Sequence, residues 1–337
     1  MDDWSAPGAY EVSAGVFRIP LAMPADGLHA VNVYAIETGD GLVMIDGGWR
    51  TETSLEELDT ALEQVGHSAS SITDVYVTHV HRDHYTMAVE LRRRYGTRIG
   101  LGQDEAPGLH ELLEITSNVP VASLVQVRRA GDPALAAVVE AATSAEPFDA
   151  DAWEKPDVWL AAGDYAVGRR ELEAVSTPGH TRGHLVFHEH AAGLLFAGDH
   201  LLPTITPSIG FELGEWDLPL GDYLDSLERV LVRPDAVLLP AHGAPGPSAH
   251  ARATELLEHH DHRLAETAEV LDRCGAATAA QVAQALTWTR RRRPYADLDD
   301  FNRMIATCET IAHLDVLVVQ GRATVVEDSP SATFSLA

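Results

Sequence analysis

Thr78-His79-Val80-His81-Arg82-Asp83-His84 is the stretch on which the reading of this chain turns. A short β-branched run, Asp74 to Thr78, leads into it, and helical spacing resumes from about Met87 to Tyr95. Side chains on a strand repeat with period two, so His79 and His81 leave the strand end on one side. Asp83 and His84 then reach a second position from the loop and the first helical turn. Imidazole and carboxylate donors together suit zinc, and iron and manganese accept them too. Burying such groups in an apolar core without partners would be costly.

Outward from this cluster, three further segments repeat the same arrangement. Thr177-Pro178-Gly179-His180 follows an expected strand at Glu171–Ser176. Ala197-Gly198-Asp199 follows Leu194–Phe196, and Pro240-Ala241-His242-Gly243 follows Ala236–Leu239. Each sets one donor beyond an apolar strand, beside a glycine that permits a tight turn. Donors leaving the same edge of neighbouring strands converge on one place.

In content and order these segments resemble the metallo-β-lactamase superfamily, with its H-x-H-x-D-H motif at His79 to His84. Asp46, at the end of a strand before the cluster, fits the same order. The resemblance covers about Val12 to Gly246 and is poorest over Leu101–Asp157. It implies an α/β fold, an αβ/βα sandwich with two divalent metal ions at one edge. One ion would take His79, His81 and His180, and the other Asp83, His84 and His242. Asp199 would bridge them, and Asp46 would accept an N–H from a ligand imidazole and fix its tautomer. The bridging position is Asp rather than Cys, which points away from true β-lactamases. Pro178-Gly179-His180-Thr181-Arg182-Gly183-His184 resembles the corresponding segment of glyoxalase II and its relatives. Tyr85-Thr86 departs from the family, many members having Gly at the second position.

The rest of the chain supplies the frame. Val12–Ile19 and Val31–Glu37 read as strands, with Pro20 and Pro24 as breaks between them. Gly39-Asp40-Gly41 reads as the turn of a hairpin. Thr51–Val65 has helical spacing. Leu101–Asp157 leans helical, punctuated by prolines, and is expected to be an insertion forming one wall of the site. A loop is expected over Pro203–Trp216. These readings make residues 1–247 a catalytic domain. Residues 248–337 read as three helices and a hairpin, the order of a winged-helix module. The helices are expected at Thr254–Leu271, Thr278–Leu286 and Asp299–Leu317, the second opened by a capping box from Thr278 to Gln281. Two short strands turning at Gly321 are expected over Val318–Val326. This part, with His262-Arg263 on its first helix, resembles lactamase-like thioesterases and endoribonucleases.

Composition limits partners and compartment. The 337 residues carry a formal net charge of −27, which repels polyanions at long range and disfavours nucleic acid. The run Arg290-Arg291-Arg292-Arg293 is read as a solvated surface. Cys274 and Cys308 form no C-x-x-C pair, so a cysteine zinc site is excluded and two reduced thiols are expected. No apolar run is long enough to span a membrane, and the acidic start lacks the order of a signal peptide, so a cytoplasmic location is expected. A homodimer would be the commonest assembly.

The expected activity is metal-dependent hydrolysis of an ester or thioester, on a hydroxyacylglutathione- or acyl-thioester-like small molecule. Attack would come from a hydroxide shared by the metals. Asp83 is the candidate to take up or relay the proton, and Tyr85 or His184 to stabilise the oxyanion. Alternatives are a lactonase, a persulfide-dioxygenase-like oxidoreductase using one iron, a metal-dependent ribonuclease gripping through Arg290–Arg293, or a binding module without catalysis.

Overall fold

A computed structural model describes residues 3–23, 27–210 and 216–337. Pro24 and part of the expected loop at Pro203–Trp216 lie outside the described residues. Two sheets come first in the chain, and their strands are interrupted by helices. The strands are β1 (Tyr10–Ser13), β2 (Val16–Ala22), β3 (Ala30–Glu37), β4 (Leu42–Ile45), β5 (Ile72–Val77), β6 (Arg98–Gly102), β7 (Val158–Leu160), β8 (Gly163–Val167), β9 (Arg170–Ser176), β10 (Leu185–Glu189), β11 (Leu194–Gly198) and β12 (Val237–Pro240). The helices are α1 (Ser54–Glu63), α2 (Arg82–Tyr95), α3 (Ala106–Glu114), α4 (Val121–Arg129), α5 (Pro133–Ser144), α6 (Pro219–Leu231), α7 (Ala249–Cys274), α8 (Ala279–Ala285) and α9 (Asp300–Val319).

Among the described residues, one sheet runs in the order β1-β2-β3-β4-β5-β6-β7 and the other β12-β11-β10-β9-β8. Alternation decides what lies between them. Tyr34, Ile36, Val43 and Ile45 from the first sheet meet Leu172, Ala174, Leu185, Phe187 and Phe196 from the second in one buried cluster. Full burial of each such side chain contributes roughly 1.5–3 kcal/mol. The result is a mixed α/β sandwich, and the strand ends that carry the donors fall within it.

Pro20 does not break the chain. It lies inside β2, opposite Asn32. β1 pairs with β2 only as far as Arg18, so the missing N–H at Pro20 faces no ladder partner. α2 starts at Arg82, earlier than expected, so the donor cluster itself supplies its first turn.

The chain forms two compact units. The first comprises Met1–Leu113, Asp149–Pro207 and Glu228–Ala253, and the second Glu114–Phe148, Ser208–Leu227 and Thr254–Ala337. This differs from a single cut between residues 247 and 248. The physical reason is packing: Leu124, Val127, Leu135, Ala136 and Val139 of α4 and α5 share a core with Met304 and Cys308 of α9. The middle helices therefore belong with the C-terminal ones. The capping box at Thr278 and Gln281 is present.

Val318–Val326 does not form two strands. α9 continues to Val319, and Gly321, at φ 68, ends the helix in the left-handed region. There the Gly321 and Arg322 N–H groups donate to Val318 and Leu317 carbonyls. The hairpin comes later, as β15 (Ala323–Asp328) and β16 (Ser331–Leu336). A small pair unseen in the sequence, β13 (Thr287–Trp288) and β14 (Arg293–Pro294), carries Arg290–Arg292 in its connection and Arg293 in its second strand. Both cysteines are free thiols, Cys274 exposed and Cys308 buried.

Candidate metal centre

The donors assemble from four strand ends of the sandwich unit. β5 ends at Val77 and releases Thr78 to His81, after which α2 begins. His180 lies between β9 and β10, Asp199 directly after β11, and His242 just after β12. Asp199 and His242 come from neighbouring parallel strands, so both leave the sheet in the same direction.

His79, His81 and His180 bring ring nitrogens together. His79 Nε2 and His180 Nε2 each lie 3.0 Å from His81 Nδ1. One nitrogen cannot hydrogen-bond to both with a single proton, whereas ligands of a tetrahedral ion stand at about this separation. Asp83, His84 and His242 form a second group. Asp83 Oδ2 is 3.3 Å from His242 Nε2 and 3.6 Å from His84 Nε2. Asp199 faces both groups. Its Oδ2 is 3.4 Å from His180 Nε2, and its Oδ1 is 3.4 Å from His242 Nε2 and 3.6 Å from His84 Nε2.

Whether these residues fit metal ions is tested by the atoms left over. His84 Nε2, His242 Nε2 and Asp199 Oδ1 are buried and carry no hydrogen bond. An unsatisfied buried acceptor costs about 1–3 kcal/mol. All three point into one space, so a cation between them would satisfy all at once. Two divalent ions fit this donor set.

The ring orientations are fixed from behind. His84 Nδ1 donates to Asp46 Oδ2 at 2.9 Å, which leaves Nε2 with its lone pair toward the cleft. Asp46 also accepts from the Thr78 N–H at 2.7 Å and from the Thr78 hydroxyl at 3.0 Å. Asp46 holds φ at 61, a conformation that Asp adopts more readily than most residues. His242 Nδ1 donates to the Ala30 carbonyl at 2.8 Å. His79 Nδ1 lies 3.1 Å from the Thr78 hydroxyl oxygen.

Electrostatics divide the cleft. Burial, followed by the neighbouring imidazoles, holds His79 well below its ordinary pKa. Burial and His180 bring His81 down to about 3. Burial also opposes charge on His84, but Asp46, Asp83 and Asp199 outweigh it and push the group up to about 10. His242 is pushed up to about 9, burial again being outweighed by Asp199 and Asp83. Burial opposes ionisation of Asp83, yet His84 and His242 overcome it and hold this carboxyl below the usual range. The carboxylates thus demand positive charge at the second group, which protons supply when no cation is bound.

Two further residues expected at the chemistry are both engaged by neighbouring groups. Tyr85 is fully buried, donates to the Glu154 carbonyl at 2.7 Å, and stacks on Trp153. Its hydroxyl is engaged with the Glu154 carbonyl. His184 is buried with both nitrogens engaged. Nε2 accepts from the Asp199 N–H at 3.3 Å, and Nδ1 lies 3.0 Å from the Thr177 hydroxyl. Its ring also stacks on His79, with centroids 5.0 Å apart. His184 thus contacts both Asp199 and His79.

Sequence reasoning missed Glu105. It is 2% exposed, accepts from the Thr181 hydroxyl, and takes backbone N–H groups of Val80 and Gly183. Burial pushes its carboxyl up to about 7. One side chain thereby ties the loop of His79 and His81 to the loop of His180. Its only mark in the sequence is an acidic residue soon after an apolar strand.

The family model described as the metallo-beta-lactamase superfamily matches residues 26–242, which include Asp46 and every donor named above. A probable metallo-hydrolase of Bacillus subtilis (strain 168) is 26% identical over 313 residues, covering 85% of this chain and 87% of its own. An atrochrysone carboxyl ACP thioesterase of Paecilomyces divaricatus is 26% identical over 271 residues, covering 79% of this chain and 68% of its own. Among solved structures, a metallo-beta-lactamase family protein from Thermus thermophilus superposes with a TM-score of 0.77 at 25% identity, covering 97% of this chain and 100% of its own. The order of donors, the sandwich that presents them and the extent of the family match all agree, and the chain belongs to the metallo-β-lactamase superfamily.

Proposed function

We propose that the protein is a dinuclear metal-dependent hydrolase that cleaves the ester or thioester bond of a small molecule. One observation carries the reading: the two oxygens of Asp199 face two separate donor groups, His79-His81-His180 and Asp83-His84-His242. A carboxylate so placed would serve both groups if each held a cation. Zinc suits the mixture of imidazole and carboxylate. When bound, such a pair supplies an ionised water at neutral pH and Lewis acidity at a carbonyl oxygen.

The chain's own residues prepare that chemistry. Asp46 and the Ala30 carbonyl hold the rings of His84 and His242 with Nε2 toward the cleft. His184 keeps the Asp199 backbone in place through its N–H. His84 and His242 keep Asp83 ionised at neutral pH. Glu105 braces the two loops that bear His79, His81 and His180. The thioester preference is supported by the Asp at position 199, by the Pro178–His184 segment, and by similarity to a relative described as a thioesterase. The C-terminal helices and hairpin are read as a winged-helix-like module attached to this hydrolase.

The test is metal analysis of the purified protein, followed by assays of the metallated form. Two metal equivalents and turnover of S-acylglutathione or acyl-coenzyme A thioesters, or of simple esters, are expected. Turnover of phosphodiesters alone, or full activity at one equivalent, would overturn the reading.

A further inference from the structure

A second donor cluster lies away from the cleft, at the other end of β10. His184 precedes that strand and His188 and His190 come at its close. The separation along the strand is roughly 13 Å at about 3.3 Å per residue. Register explains why the cluster forms. His188 stands directly opposite Glu173 in the β9–β10 ladder. His190 follows two residues later, on the same side by alternation. Leu185 and Phe187, in the other phase, face the sandwich core. Glu173, His188 and His190 therefore share the outer face of the sheet, near Arg233 just past α6.

The donor atoms of these three residues lie within 4.8 Å of one another. His190 Nε2 is 2.7 Å from Glu173 Oε2. The rings of His188 and His190 have centroids 4.0 Å apart. His188 is only 2% exposed, yet neither of its ring nitrogens has a hydrogen-bond partner. A buried imidazole left so is costly and calls for an explanation. Burial brings its pKa down to about 4, so its lone pair is available at neutral pH. His190 is 44% exposed at its side chain, giving an ion a path from solvent. Arg233 anchors the carboxylate, with its terminal nitrogen 2.7 Å from Glu173 Oε1 and Nε 3.1 Å from each oxygen. Its charge, and the nearby His250, oppose a cation and limit the affinity.

We propose that Glu173, His188 and His190 bind a divalent transition-metal ion at a site separate from the cleft. Two imidazoles and one carboxylate suit zinc, nickel or copper. Calcium and magnesium, which need oxygen-rich shells, are not expected there.

The experiment titrates full-length protein, its cleft already loaded with zinc, with further zinc sulfate, and follows binding by calorimetry and by elemental analysis after gel filtration. The wild type is expected to take up one zinc equivalent more than His190→Ala, with the affinity at this site falling at least about tenfold in the variant. Turnover and the cleft's own metal content are expected to stay unchanged in His190→Ala. Glu173→Gln, which keeps the side-chain shape, should weaken the same equivalent. Identical stoichiometry and affinity in the wild type and both variants would overturn the proposal, as would the absence of any zinc uptake beyond the cleft.

Discussion

His84 and His242 in the sandwich unit and His260 and His313 in the helical unit are all buried to within a few per cent. Their surroundings differ in one respect. The first pair faces Asp46, Asp83 and Asp199, and these carboxylates outweigh burial and raise both groups. The second pair faces itself, with His260 Nδ1 3.2 Å from His313 Nε2 and His313 Nδ1 donating to the Glu309 carbonyl at 2.7 Å. The ring of Tyr223 meets His260 edge-on, and His259 and Arg263 add only repulsion toward a proton. Burial dominates, holding His260 well below its ordinary range and His313 at about 3. The same side chain thus suits a cation where carboxylates converge and an uncharged core where they do not.

The comparison breaks most visibly at Asp199. Asp199→Ala is predicted to lower hydrolysis by more than about a hundredfold and to reduce bound metal, with the circular dichroism spectrum retained. Activity within tenfold of the wild type would mean that the carboxylate does not define the cleft. Asp46→Asn is a finer probe, since Asn tolerates the left-handed backbone and the change removes the charge and turns one acceptor oxygen into a donor. A loss of about 10–100-fold in metal affinity, measured by competition with a chromogenic chelator, is expected.

For the helical unit the sign is opposite to that of His84 and His242. A histidine whose folded pKa is depressed contributes stability that is present above its unfolded pKa and is lost as pH falls through that value toward the folded one. For His313 the window runs from 6.5 down to about 3. Urea midpoints are predicted to fall across that window, and His313→Gln should flatten the slope by up to about 1.4 kcal/mol per pH unit. An unchanged slope would show that this pair does not govern acid sensitivity. The smallest effect is expected at Tyr85. Tyr85→Phe removes its bond to the Glu154 carbonyl and should cost about 1 kcal/mol in chemical denaturation, with kcat/KM within threefold of wild type. A loss of kcat beyond tenfold would restore Tyr85 to the chemistry.

How much of this was legible in the sequence depended on range. His79, His81, Asp83 and His84 announce themselves by spacing, and His180, Asp199 and His242 by recurring at strand ends. Such signals are local, and strand order brings them together. The surroundings of Tyr85 and His184 were not legible, because adjacency to a ligand in sequence says nothing about which side of a helix or sheet a group occupies. Tyr85 follows His84 by one residue, a turn of about 100° on α2, and so points into the packing. Glu105 was missed because its partners, Val80, Thr181 and Gly183, are distant along the chain. The helical unit was only half seen for the same reason: nothing near Leu124 or Leu135 indicates that Met304 will cover them. Gly321 carries a turn signal, but whether such a glycine closes a hairpin or a helix is decided by the residues behind it.

The brace around Glu105 limits how this cleft can be remodelled. A methyl group at Gly183 would collide with the backbone nitrogen of Glu105, and one at Gly102 with the carbonyl oxygen of Gly183. Backbone touches backbone there, so no rotamer change can make room. Variation in what the enzyme accepts must therefore arise on other walls, and libraries built to alter its selectivity should spare positions 102 and 183.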